Sequence, residues 1–436
     1  MHGNFEKEIL NANLSQILVK LNPSEMTNGK LRMTKFSVEK MGKARERLGS
    51  WELPNQAPIQ SPGIWLTTSA CGVPNLTPET YEMSVVQQNF AGLLVSYENH
   101  ARSIDVFEAY QKGFLSFSGF KDMPTLLTVM DPMLKMKSGY NNSNKISVWG
   151  QNNQREGVDN AHYLKGVTAL SPDAFVTLAD SDMSKETASK RVQKALKYTH
   201  SGLEFVLNHH NDKVQDKVII GSLEGHFDKK VRETESKLLS TLPLDGYLLD
   251  NFHSNGESSL EMEIDEVIDV LKESIMPHLK RDKPKMFFGM LDPLKILYLV
   301  KEGVDFFETS YVYNLTDKGY ALSFTNTLES KEAISEELPA KTCEDKTGGN
   351  DVDFCIDLKD PKYKNDFGPI LKDCSCYACR KHTRGYINHL LATNELLASV
   401  LLVIHNLHHY GDFFKTIREA IKNDKLDAFI SVLKNE

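Results

Sequence analysis

No stretch of this 436-residue chain approaches the roughly 18 consecutive apolar residues of a membrane-spanning helix. The longest apolar run, Leu396–Ile404, is already interrupted by Ser399. An integral membrane segment is therefore not expected. The amino-terminal residues MHGNFEKEIL carry acids early and lack the apolar core of a signal, so neither secretion nor mitochondrial import is expected. A large charge excess is also missing. With 51 Lys+Arg against 59 Asp+Glu the net charge is −8, which argues against nucleic-acid binding over the whole surface but allows a local basic patch. No Gly-rich phosphate fingerprint follows an early strand, which disfavours a dinucleotide-binding sheet. Cysteines are few, and an intracellular chain would not use them as disulfides. With 40% hydrophobic and 25% charged residues, the chain is neither disordered nor a disulfide scaffold.

What is present is alternation. Eight short apolar runs read as strands: Gly63–Ser69, Gly92–Tyr97, Thr125–Asp131, Ala174–Asp180, Val218–Glu224, Gly246–Phe252, Lys285–Leu291 and Phe306–Tyr311. Helical patterns fall between them, clearest at Lys185–Leu207, Lys229–Leu242, Leu260–Leu279 and Pro293–Lys301. Repeated βα units over this length predict an α/β fold, a (β/α)8 TIM barrel, with an open doubly wound sheet as the competing arrangement. Residues 1–60 read as an added N-terminal layer, with short antiparallel strands around Ile17–Lys35, and 61–327 as the barrel. Residues 328–350 are charged and Gly-bearing, as in a mobile loop. Residues 351–436 form a C-terminal subdomain ending in two helices, Thr383–Asp412 and Phe413–Leu433.

Of the six cysteines, Cys71, Cys343 and Cys355 are scattered, while Cys374, Cys376 and Cys379 lie within the segment CSCYAC. A cluster this tight reads as metal ligation, and soft thiolates favour zinc. A structural zinc takes four ligands, so one more is needed. His382, His389, His405, His408 and His409 are all candidates by spacing. His405 continues the apolar stripe Leu397, Leu401, Ile404 at helical period. A buried imidazole there needs a partner, either a metal or, in the blander reading, a backbone carbonyl.

CSCYAC followed by HNLHHY at His405–Tyr410 resembles the zinc signature of the tRNA-guanine transglycosylases, CxCxxC with a histidine 26 residues after the last cysteine. The segments HTRGYINHLL and NELLASVLLVIHNL are similar to that family's following helices, and GVDFFE at Gly303–Glu308 resembles its GVDMFD. The resemblance runs from about residue 55 to residue 433. It implies a barrel with a zinc-bearing C-terminal attachment, one structural Zn2+ per chain, and Cys374, Cys376, Cys379 and His405 as its ligands. The family's reaction is base exchange: an aspartate attacks the ribose of the wobble guanosine, guanine leaves, and a 7-deazaguanine such as queuine takes its place.

The chemical motifs depart from the family. The nucleophile position falls on Glu308, one methylene longer than aspartate, and misplacement by about 1 Å can cost about 100-fold. The Pro-Thr-Arg stretch that follows in the family is Val312, Tyr313 and Asn314. The second carboxylate becomes Val129, with Asp131 two residues away. Where the family has a Gln-Gly-Gly turn this chain has Glu224 and His226, and its Gly-Gly-Leu stretch falls near Asp250 and Asn251. Asp180 alone keeps a family-like acidic position. Asp180, Glu224, Asp250, Asp292 and Glu308 are either functional acids at the strand ends or inherited residues that line the mouth and cap helices.

The resemblance therefore implies no catalytic residue, with Val129 and Glu308 as degenerate positions. It implies a member that forms a one-to-one heterodimer with a catalytic queuine tRNA-ribosyltransferase chain and helps hold tRNA. Arg380, Lys381 and Arg384 are its RNA-binding candidates. Tyr386 and the His408–Tyr410 region, beside the apolar stripe from Leu390 to Ile404, would supply interface contacts. A cytoplasmic setting is expected, with peripheral association at the mitochondrial outer membrane as a further location. The competing functions are a self-sufficient transglycosylase with Glu308 as nucleophile, and a zinc-stabilised module that holds a ligand without chemistry.

Overall fold

The computed structural model describes residues 34–85, 90–142, 144–150, 153–209, 214, 216–328 and 354–435. Fifteen strands occur among them. An antiparallel sheet comes first: β1 (Lys35–Met41), β2 (Arg47–Glu52) and β3 (Ile59–Ser61). Then follow β4 (Gly63–Thr67), β5 (Leu93–Ser96), β6 (Thr125–Thr128), a hairpin of β7 (Ile146–Val148) and β8 (Glu156–Val158), β9 (Ala174–Val176), β10 (Val218–Leu223), β11 (Gly246–Leu249), β12 (Lys285–Met286) and β13 (Phe306–Glu308). The last two, β14 (Tyr320–Leu322) and β15 (Cys355–Asp357), pair antiparallel.

Strands β4, β5, β6, β9, β10, β11, β12 and β13 close into a parallel barrel, β13 pairing back onto β4 through Glu308 and Trp65. All eight strands expected from the sequence are the barrel strands, so the doubly wound arrangement is excluded. Their period of two sorts the side chains. Trp65, Leu94, Leu126, Val176, Val218, Ile220, Leu248, Met286 and Phe306 form one buried cluster inside the barrel. Their neighbours Ile64, Leu93, Leu127, Phe175, Ile219, Leu249 and Phe307 face the surrounding helices. The N-terminal sheet plugs the end where the strands begin. Trp51 is fully buried against Phe306 (5.4 Å) and Trp65 (6.3 Å). Arg47 locks this lid, donating to the Asp305 carboxylate at 2.6 and 2.8 Å. With that end filled, the barrel interior faces solvent at the carboxyl ends of the strands.

Helix Pro293–Lys301 has the bounds read from the sequence, and Asp292 caps it by accepting from the Lys295 N–H at 2.9 Å. The C-terminal helices do not. A single helix runs Leu396–Lys422, preceded by Arg384–Ala392 and followed by Leu426–Lys434. The expected break between Asp412 and Phe413 is absent because Phe413 and Phe414 are buried there against Phe324 and Phe307. That burial outweighs the roughly 1 kcal/mol helix penalty of Gly411. The chain turns instead at Asn394 and Asp424, both in the left-handed region. The strands expected around Ile17–Lys35 and the loop 328–350 fall almost wholly outside the described residues. No helix among the described residues is long and apolar enough to cross a membrane, and association with the mitochondrial outer membrane gains no support.

Candidate metal centre and the barrel mouth

Three cysteines arrive from a loop and the first turn of a short helix, Tyr377–Lys381, while the histidine comes from the middle of the 27-residue helix Leu396–Lys422. Cys376 caps the short helix, its sulfur accepting from the Cys379 N–H at 3.3 Å. The spacing of two and three residues follows from this: the cap and the first turn bring all three sulfurs to one side. His405 is fully buried, and its Nε2 lies 2.9 Å from the Leu322 carbonyl oxygen. A carbonyl only accepts, so Nε2 carries the proton and the lone pair of Nδ1 is directed at the sulfurs. The two readings of this histidine are therefore compatible: one nitrogen satisfies a carbonyl, and the other is available to a metal.

The Nδ1 atom stands 3.7 Å from Cys374 Sγ, 3.6 Å from Cys376 Sγ and 3.3 Å from Cys379 Sγ. All four donor atoms lie within 4.8 Å of one another. Tetrahedral zinc with ordinary bond lengths would set each sulfur about 3.6 Å from the nitrogen. The group can therefore hold a metal ion, and the soft donor set suits zinc. His408 bonds to Ser375 (3.2 Å) and lies near Asp412 (3.3 Å), and His409 packs on Phe324; neither joins the cluster.

The barrel mouth is built in the opposite sense. Glu308 ends β13 and is almost fully buried. One carboxylate oxygen accepts from the Gly289 N–H at 3.0 Å and the Ser310 hydroxyl at 2.5 Å, and the other from the Ser310 N–H at 2.6 Å and the Thr67 hydroxyl. Four protein donors saturate it. Burial pushes its pKa up to about 7 despite them. No oxygen is left directed at the mouth. Val129 is buried, and Asp131 does not take its place: its oxygens accept from Asn99 Nδ2 (2.7 Å) and the Met133 N–H (2.8 Å). Asp180 is gripped by both terminal nitrogens of Arg191 at 2.8 and 2.9 Å and by Asn141 at 2.8 Å.

Glu224 accepts from the Ser222 and Ser181 hydroxyls at 2.8 and 3.0 Å, and Ser181 also lies 3.0 Å from Asp250. Burial, reinforced by Asp250, raises Glu224 to about 8. Beneath it the buried Arg232 donates to three carbonyls, of Leu223, His226 and Asp250, and lies 4.0 Å over the Phe252 ring. The recess that remains among Val129, Ser181, Ser222, Asp250 and Phe288 has a volume of about 20 Å³. That is room for one water, far below the several hundred Å³ of small-molecule sites.

A family model described as queuine tRNA-ribosyltransferase matches residues 42–435. The chain belongs to this family. Among curated relatives, it is 34% identical to the queuine tRNA-ribosyltransferase accessory subunit 2 of Homo sapiens, over 84% of this chain and 90% of that one. It is 32% identical to the protein of the same name from Danio rerio, over 86% and 92%. The Aedes aegypti protein of that name is 29% identical over 92% of each chain.

Within this family member, the metal-ligand candidates from sequence converge, and the RNA candidates divide. Arg380 and Lys381 are exposed. Arg384 is not free: it pairs with Asp366 at 2.9 Å and donates to the Ile370 carbonyl. Of the expected interface residues, Leu390, Leu401, Ile404, His409 and Tyr410 are buried inside the chain, His408 is partly buried, and Leu397 and Tyr386 are exposed. The partners that disarm the mouth acids were missed. Ser310 is local to Glu308 and could have been suspected, but Thr67 and Gly289 are distant in sequence and carry no motif.

Proposed function

We propose that this chain is the non-catalytic accessory subunit of a queuine tRNA-ribosyltransferase heterodimer, supporting exchange of wobble guanine for queuine in tRNA by pairing with the catalytic chain and positioning tRNA. The observation that carries this reading is Glu308. A nucleophile needs a free, ionised oxygen facing its substrate. Glu308 is buried with both oxygens bound by Thr67, Gly289 and Ser310. The relatives' name, accessory subunit 2, agrees with a supporting role.

The metal is a structural Zn2+, one per chain, held by Cys374, Cys376, Cys379 and His405 with no position left for water. It staples the CSCYAC loop to the long helix and so shapes the surface beside it. That surface exposes Phe367 (79% exposed) and Leu396 (74%), with Leu397, Tyr377 and Tyr386, whose ring stacks on His382 at 5.1 Å. Exposed aromatic and aliphatic anchors of this kind suit contact with a partner chain. Arg380 and Lys381, on the same subdomain, are offered to tRNA phosphates. The setting of the complex is the cytoplasm.

The test is exchange of labelled guanine in tRNA by the purified chain, by the catalytic chain and by both together. The expected result is activity only with both. A covalent RNA adduct on this chain alone would instead support the self-sufficient enzyme with Glu308 as nucleophile.

A further inference from the structure

One segment of the chain crosses the barrel mouth. Residues 132–142 follow β6 and carry neither helix nor strand. Around the closed barrel the order runs β6, β9, β10, β11, so β11 stands three strands away from β6. The segment nonetheless meets the loop after β11 at once. The Pro132 carbonyl accepts from the Gly256 N–H at 3.0 Å, and the Met136 N–H donates to the Ser254 carbonyl at 2.7 Å. A chain that leaves one strand end and meets the loop three strands round takes a chord across the mouth. It then turns back at Gly139, whose φ is 86°, and reaches the end of β9. There the Gly139 N–H donates to the Asp182 carboxylate at 2.7 Å and the Asn141 amide to Asp180 at 2.8 Å. Pro132 and Asn255, from the two partners of the first contact, line the small recess with Ser181, Ser222 and Asp250.

The crossing is held differently from the barrel beneath it. Leu134, Lys135, Ser138, Gly139, Tyr140 and Asn142 are exposed, and after Pro132 no side chain of the segment is fully buried. Little apolar area therefore holds it down. Its grip on the mouth is polar and has two points, Ser254 on the way out and the Asp180–Asp182 pair on the return. At the first point the backbones pass closely: a Cβ added to Gly256 would come within 2.8 Å of the Lys135 nitrogen. At the second, the two carboxylates are shared with Arg191, at 2.8 and 3.6 Å. The return leg runs on into the β7–β8 hairpin. There the Tyr140 carbonyl accepts from the Ser147 hydroxyl and from Arg155, both at 2.9 Å, which ties segment and hairpin into one piece. Segments with exposed polar contacts open at a fraction of the global unfolding free energy, whereas buried parallel strands open last.

We propose that residues 132–142 form a strap by which the chain closes its own barrel mouth, and that the strap opens at the Asp180–Asp182 latch while the barrel stays folded. Closed, it stands between solvent and the recess at Ser181, Ser222 and Asp250. Open, it releases those groups together with Asp180 and Asp182. The device stands on the strap's own contacts and holds whether or not the chain is an accessory subunit.

The experiment uses the full-length chain with Ser222→Cys, a buried position that lines the recess. Labelling of that cysteine by iodoacetamide is followed at its own peptide by mass spectrometry. Gly139→Pro removes the N–H that bonds to Asp182 and forbids the positive φ. Asn141→Ala removes the amide that bonds to Asp180. Either one, added to Ser222→Cys, should speed labelling by about tenfold, the effect of losing one hydrogen bond to a charged group. Hydrogen exchange on the chain without the cysteine gives a second reading. The Met136 and Gly139 amides should exchange through a denaturant-insensitive opening, well before those of β9, β10 and β11. Labelling unchanged by both latch variants would overturn the proposal, as would Met136 and Gly139 amides that exchange only together with the barrel strands. Labelling in the Ser222→Cys chain already as fast as at an exposed thiol would overturn it too, because nothing would then cover the recess. Should Gly139→Pro lower the thermal midpoint of the whole chain, Asn141→Ala and the exchange reading decide. None of these outcomes bears on Glu308, which guanine exchange tests separately.

Discussion

The metal subdomain and the barrel mouth hold comparable sets of reactive side chains, arranged to opposite ends. At Cys374, Cys376, Cys379 and His405, the protein uses its hydrogen bonds to aim lone pairs at a common point: the Leu322 carbonyl takes the Nε2 proton and leaves Nδ1 facing three sulfurs. At the mouth, it uses them to turn carboxylates away from any substrate, with Glu308 saturated by four donors and Asp180 clamped by Arg191. The cysteine–histidine cluster leaves converging atoms unsatisfied by other protein groups, whereas at the mouth Glu308 and Asp180 are satisfied and one oxygen of Glu224 is left without a protein donor. Counting acids at strand ends does not separate the two cases; tracing each oxygen to its donor does.

The comparison breaks most decisively at the cysteines. Cys376→Ala should abolish stoichiometric zinc by metal analysis and destabilise the C-terminal helices by on the order of 5 kcal/mol, read from thermal or denaturant unfolding. Wild-type protein purified without chelator and found to carry no metal would sink the assignment.

A smaller effect is expected from pH at the mouth. The ordinary glutamate value applies to the unfolded chain, while buried Glu224 keeps its proton up to about 8. Between those values the folded state binds more protons, so stability should fall as pH rises, by on the order of 3 kcal/mol between pH 6 and pH 8. Glu224→Gln, which retains the acceptor for Ser181 and Ser222, should flatten that dependence in denaturant titrations at pH 6 and pH 9. A pH slope identical to wild type would show that Glu224 is ionised throughout.

Reversing Arg380 and Lys381 to glutamate should weaken tRNA binding by the heterodimer by about tenfold and lower the salt slope by about 2, measured across a salt series. The effect expected to be smallest is the most discriminating. Glu308→Gln should leave guanine exchange by the assembled complex within about twofold of wild type, where loss of a true nucleophile would cost several orders of magnitude. A loss of that size, with assembly intact, would place chemistry in this barrel after all.

The sequence alone determined the eight barrel strands, because buried parallel strands must be short apolar runs separated by helices, and that pattern is local. It also brought the three sulfurs together as candidate ligands, since CSCYAC places them within one cap and turn. The choice of His405 came only from the resemblance; residue spacing left five histidines open, and the Leu322 carbonyl that decides its tautomer comes from another strand. The helix boundaries near Asp412 were misread because the burial of Phe413 and Phe414 is a tertiary fact. So was the exposure of the apolar stripe, most of which covers the core. Above all, whether Glu308 is a nucleophile or a buried brace could not be read from the chain. The side chain is a carboxylate either way, and only the fold brings Thr67 and Gly289, some 241 and 19 residues away, to bind the oxygens a substrate would need.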